Sequence, residues 1–183
     1  MRKQIMEAAL GEMREKGIHG AGLKKLALAA KMRQGSFYSY FKSKDHLIQE
    51  AIAGALAARR EDWKELLGED GSGFDAEIRN YLSEEARDNP RIGRTIASVA
   101  GEIGRLSMEA RLAIECELNK LFGLIAERLP GRRIRDRRKE AISIYCLMIG
   151  AVQLSRGVAT AALSREILEA ARGFALETAA PAD

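Results

Sequence analysis

Valine, threonine and proline each occur only three times in the 183 residues. A β-sandwich or barrel needs β-branched residues and frequent turns, so this scarcity argues against either. Two cysteines, Cys116 and Cys146, are too few for a disulfide framework. Both fall inside helical patterns among apolar neighbours and are expected to be buried and inert. The two histidines, His19 and His46, are too isolated in sequence to hold a metal, and His46 is expected to be exposed near a helix start. No CxxC, HExxH or GxxxxGK[ST] occurs, and the glycines of Gly17-Ile18-His19-Gly20-Ala21-Gly22 have the wrong spacing for a dinucleotide loop. Without a placed nucleophile–base pair or metal constellation, an enzyme is not expected, nor is a cofactor. The longest apolar stretch, Cys146 to Val152, is far short of a membrane span. Polar residues run through the first turns at Met1-Arg2-Lys3-Gln4, so no secretory signal is read there and the expected compartment is the cytoplasm.

What is abundant is alanine, with 29 residues, within a chain that is 46% hydrophobic and 31% charged. That composition predicts a soluble, all-α protein, which the periodicity below divides into about nine helices. The net charge of +4 is unevenly spread. Residues 1–50 hold ten Lys/Arg against five Asp/Glu, whereas residues 51–183 hold twenty against twenty-one. A positive excess confined to the first quarter points to a polyanion partner for the N-terminus, or else to a solvated basic face.

Periodicity divides the chain further. Ile5, Ala9 and Met13 repeat at i, i+4, and this helix is expected to stop at Lys16-Gly17. A short helix follows over about 23–30, a break at 31–33, and a second short helix over about 34–40. Ser43 reads as the N-cap of a long helix to about Leu67. The polar run Gly68-Glu69-Asp70-Gly71-Ser72-Gly73 is a linker. Beyond it, helices are expected from Ser72 to Asn89, from Pro90 onward, from Ser107 to Pro130, from about Arg135 to Val158, and from Ser164 to about Leu176.

Four of the ten aromatic residues crowd into five positions: Phe37, Tyr38, Tyr40 and Phe41. Lys31, Arg33, Lys42 and Lys44 flank them. On a short helix, Phe37 and Phe41 share one face and read as core. The opposite side then carries Gln34, Ser36, Ser39 and Tyr40, small hydrogen-bonding groups suited to a major groove. A packed helical hairpin with tyrosines at its edge is the plainer alternative.

Residues 5–52 resemble the N-terminal domain of TetR/AcrR-type transcriptional regulators. The resemblance is carried by Ile5, Ala8, Ala9, Gly17, Leu26-Ala27 and Ala29-Ala30. It is strongest in Gly35-Ser36-Phe37-Tyr38-Ser39-Tyr40-Phe41-Lys42-Ser43-Lys44-Asp45-His46-Leu47. It implies a helix-turn-helix DNA-binding domain over residues 1–47 and a helical dimerisation and effector-binding domain over 48–183. It further implies base contacts from Gln34, Gly35, Ser36 and Tyr38, and phosphate contacts from Lys24, Arg33, Tyr40 and Lys44. The sequence departs from the family pattern at Ala21-Gly22, where a hydroxyl cap is usual, at Lys31, where a turn glycine is usual, and at Arg33, often a serine or threonine.

For the remaining chain the resemblance implies a homodimer and a pocket for a small molecule. The dimer surface falls to Ala151, Leu154, Val158, Ile167, Ala171 and Phe174 on the last two helices; packing of these residues into the chain's own core is the alternative. Pocket candidates are Trp63, Tyr81, Met108, Phe122, Tyr145 and Met148, and their character favours a mostly apolar effector. The implied function is a repressor that binds a palindromic operator in double-stranded DNA and is released by that effector. A DNA-binding protein without an effector, controlled by a protein partner, is the rival reading.

Overall fold

The computed structural model describes residues 1–20, 22–29, 38–68, 73–90, 94–129 and 133–180. Every regular element among them is helical, as the composition predicts. In chain order these are α1 (Arg2–Gly20), α2 (Leu23–Ala29), α3 (Lys44–Leu67), α4 (Phe74–Tyr81), α5 (Glu84–Asp88), α6 (Thr95–Ile103), α7 (Met108–Arg128), α8 (Ile134–Gly157) and α9 (Ala161–Ala179).

The chain packs as two compact units. One comprises Met1–Ala58 with Pro90–Leu118, the other Arg59–Asn89 with Asn119–Asp183. In the first, the i, i+4 stripe of α1 buries Ile5, Ala9 and Met13 completely, alongside buried Phe41, Leu47, Ile48 and Ile52. Removing such aliphatic side chains from water is worth about 1.5–3 kcal/mol each and supplies the main driving force for this unit. α6 lies against α1. Its buried Thr95 accepts a 2.8 Å hydrogen bond from Arg14 Nε, and burial pulls the Arg14 pKa below its ordinary value.

The second unit is built on the α8–α9 hairpin, with α4 against α9 and α5 against α8. Buried Ser164 ties the hairpin together by donating to the Ser155 carbonyl at 2.7 Å. Arg156 reaches from α8 to the end of α5, where its guanidinium donates to the carbonyls of Ala86 (3.0 Å) and Arg87 (2.8 Å). Those carbonyls are among the last in α5 and have no partner further along the helix, so the cation satisfies what the short helix leaves open.

Several boundaries differ from the periodic reading, each for a local reason. The helix expected over 72–89 is divided at Ser83, whose hydroxyl donates to the Asn80 carbonyl and accepts from the Ala86 amide, closing α4 and capping α5 together. Asn89 terminates α5, its side-chain amide donating to the Glu85 carbonyl, and the next helix starts at Thr95 rather than at Pro90. α9 starts at Ala161 because Thr160 caps it, which frees Ser164 for the buried bond above. At Gly17 the chain does not leave α1. It turns through a φ of 73° and makes one more helical turn to Gly20.

Candidate nucleic-acid interface and effector site

The segment richest in expected DNA contacts is entered from α2 and left through α3. Arg33, Gln34, Gly35 and Ser36, like Lys31 and Phe37, lie outside the described residues. Lys24, Tyr38, Tyr40 and Lys44 are described, and all belong to the first unit. Lys24 is exposed on α2, Tyr38 is 62% exposed and Tyr40 37%. Phe41, one position beyond Tyr40, is buried and anchors the segment.

The N-terminus of α3 is tightly organised. Ser43 Oγ accepts from the His46 amide at 3.0 Å, the N-cap that the sequence announces. His46 is half-buried rather than exposed, a correction to the sequence reading. Its Nδ1 accepts from the Lys42 amide at 3.3 Å, while Nε2 lies 2.9 Å from Glu50 Oε1 and packs its ring edge-on to Phe41. The neutral tautomer with hydrogen on Nε2 satisfies both contacts. Arg2 is held by the same patch, donating to Glu50 at 2.6 Å with its guanidinium 4.9 Å from the Phe41 ring. The result is a fixed turn that presents a helix N-terminus beside Lys44, a combination suited to a phosphate group. The Lys44 ammonium reaches back to the Ile18 carbonyl at 3.4 Å, the long end of hydrogen bonding.

On the far side of α1, Glu102 of α6 closes on the Gly17 bend. Its two carboxylate oxygens accept from the amides of Ile18 (2.9 Å) and His19 (3.0 Å). These amides follow a break in the helix and have no carbonyl four residues back to serve them, so a carboxylate is the fitting acceptor. Sequence reasoning missed Glu102 entirely.

In the second unit, the expected pocket residues Trp63, Tyr81, Tyr145 and Met148 are buried and Phe122 is half-buried. Trp63, Tyr145 and Phe122 form a chain of edge-to-face rings, with centroid separations of 6.0 and 5.8 Å, and Phe74 adds a third contact to Trp63 at 6.0 Å. Met108 belongs to the first unit and is 62% exposed at the start of α7. The sequence reading also omitted two charged neighbours of the rings. Arg59 forms an ion pair with Glu77, and its guanidinium lies 5.7 Å from the Trp63 ring. The one available signal was Glu77 at the apolar spacing of Phe74, Ile78 and Tyr81.

On the last two helices, Leu154 and Phe174 are 62% and 59% exposed, Val158 and Ile167 are partly exposed, and Ala151 and Ala171 are buried. Cys116 and Cys146 are both exposed, against the expectation of buried thiols. Apolar neighbours in sequence misled there: Tyr145 and Met148 are buried, whereas Cys146 lies on the outer stripe with Gly150 and Leu154. No helix among the described residues is long and apolar enough to cross a membrane.

Comparison with known proteins agrees with this picture. Residues 5–51 match the family model of bacterial regulatory proteins, tetR family. Solved structures share the fold over nearly the whole chain. The reduced form of NemR from E. coli superposes with a TM-score of 0.79 at 21% identity, covering 96% of this chain and 95% of that one. A TetR-family transcriptional regulator from Agrobacterium tumefaciens gives 0.70 at 18% identity, with 92% and 96% covered. The transcriptional regulator FadR from Bacillus subtilis, in complex with stearoyl-CoA, gives 0.65 at 21%, with 93% and 97% covered. No curated protein matches the sequence. The fold is that of the solved TetR-type regulators, and residues 5–51 are similar to the tetR family of bacterial regulatory proteins.

Proposed function

We propose that this protein is a homodimeric repressor that binds a palindromic operator through residues 1–47 and is released by a small, mostly apolar effector held by the remaining helices. The observation that carries the reading is the tetR-family match over residues 5–51, which coincides with the whole positive excess of the chain. Gln34, Gly35, Ser36 and Tyr38 read base edges. Lys24, Arg33, Tyr40 and Lys44 fix the protein on phosphates. A symmetric dimer presents two such heads to two half-sites, so any change in their separation costs both contacts at once. The effector acts through α3, the helix that begins at Ser43–Lys44 and carries Arg59 and Trp63 near its other end. It need only bind better to the arrangement that misses the operator.

The test is a titration of variants on operator and scrambled duplex. The operator is to be sought as an inverted repeat in the DNA upstream of the coding region. Gln34→Ala is expected to lose about 1–3 kcal/mol on the operator and much less on scrambled DNA. Lys44→Ala is expected to weaken both alike and to reduce the salt dependence by about one released counterion. Undiminished operator preference in Gln34→Ala would show that another element reads the bases.

A further inference from the structure

The second unit holds an ion pair, Arg59 with Glu77, beside its aromatic rings. Glu77 is 1% exposed in its side chain and Arg59 19%. Replacing a buried ion pair with apolar residues of similar volume is often neutral or stabilising, so such a pair is weak evidence of a purely stabilising role. Next to it stands Trp63, fully buried, whose indole Nε1–H has no hydrogen-bond acceptor among the described residues. A buried donor left unsatisfied is costly, and native cores rarely tolerate one without cause. Tyr145 stacks edge-on to Trp63 and lies within the electrostatic reach of Tyr81, Arg59 and Glu77. Burial pushes its pKa far above the usual phenol value and keeps its hydroxyl neutral. Phe74 and Phe122 supply apolar walls on either side.

The guanidinium carries five N–H donors and the indole one, while the Glu77 carboxylate is already engaged by Arg59. Of these donors, the indole N–H is the one buried without an acceptor among the described residues. Arg59 already pairs with Glu77. A carboxylate entering here would set a second negative charge beside Glu77, at a heavy desolvation cost. A neutral acceptor adds no charge.

We propose that this cluster is the polar end of the effector site, and that the effector is an aromatic or similarly apolar molecule bearing an uncharged carbonyl, whose oxygen accepts from Trp63 Nε1. The assignment rests on the effector-release reading above and narrows it to a ligand class. Trp63 and Arg59 both lie on α3, so the carbonyl engages the helix through which release is proposed to act.

Trp63 is the only tryptophan in the chain, so its indole N–H gives a single resonance in a ¹⁵N-labelled sample of the full-length protein. Acetophenone, ethylbenzene and benzoate serve as matched probes: neutral carbonyl, no acceptor, and carboxylate. Acetophenone is expected to move the indole resonance downfield saturably and to bind roughly tenfold tighter than ethylbenzene, the value of one net hydrogen bond. Benzoate should leave the resonance in place. In Trp63→Phe, read by calorimetry, the tenfold preference should vanish while ethylbenzene binding persists. If that variant does not fold, the wild-type titration decides alone. Equal affinity for acetophenone and ethylbenzene would remove the carbonyl assignment and leave an apolar effector core standing. An unmoved indole resonance at saturation, or no binding by any of the three, also overturns the assignment. The effector reading itself fails separately, if operator affinity is lowered by no member of a broad panel of apolar small molecules.

Discussion

At Gly17 two constraints meet on one Cα. The φ of 73° puts the residue where an L side chain costs roughly 1–2 kcal/mol. A Cβ there would also collide with Glu102 Oε1. Glu102→Ala removes the acceptor of two amides and is expected to cost about 1–3 kcal/mol of stability in the first unit, with faster hydrogen exchange at Ile18 and His19. Gly17→Ala should cost more than its backbone term in the wild type, and only that term when Glu102 is already alanine. Thermal melts of the four proteins in this cycle check the coupling; strict additivity would mean that the two residues act separately. The sequence marks Gly17 as a helix end through the basic residue and glycine at 16–17. It gives no sign of Glu102, which lies 84 positions beyond Ile18 in the run Ala100-Gly101-Glu102-Ile103-Gly104.

The helices were legible where one side chain period matches one buried face, and less so where short polar side chains decide. Ile5, Ala9 and Met13 announce α1 because burial follows their spacing. Ser83 and Thr160 moved boundaries by hydrogen bonds to backbone groups three residues away, a signal that many exposed serines and threonines mimic. The ion pair of Arg59 and Glu77 escaped notice because charged residues ordinarily mark the solvated face. Arg156 is a similar case at the end of α5. Burial lowers its pKa below the ordinary guanidinium value, yet it serves two carbonyls. Arg156→Ala should therefore destabilise the second unit by about 1–3 kcal/mol in a denaturant titration. Arg156→Lys should recover only part of that loss, since one ammonium cannot reproduce the planar fork.

For the molecule as a whole, Leu154, Leu163 and Phe174 leave large apolar side chains in water on α8 and α9. On the dimer reading a second copy covers them. Sedimentation at micromolar concentration is expected to give a mass near twice 20.1 kDa. Phe174→Glu should shift the protein towards monomer, because a carboxylate on a two-fold face meets its own image. Cys146 gives an independent reading. It lies on the same outer stripe of α8 as Leu154, so thiol labelling should be slow in the dimer and fast in Phe174→Glu, whereas Cys116 on α7 should label at one rate in both. Equal, rapid labelling of Cys146 in the two proteins would place the partner's surface elsewhere.

The bend at Gly17 also bears on descent. Any other residue at position 17 meets both an unfavourable backbone and the Glu102 carboxylate, while a shorter residue at 102 strands two amides. Neither position is free to drift alone. Among descendants of a common ancestor, glycine at the first site and an acid at the second should be kept together or lost together, leaving in two distant stretches of sequence the correlated record of a single joint.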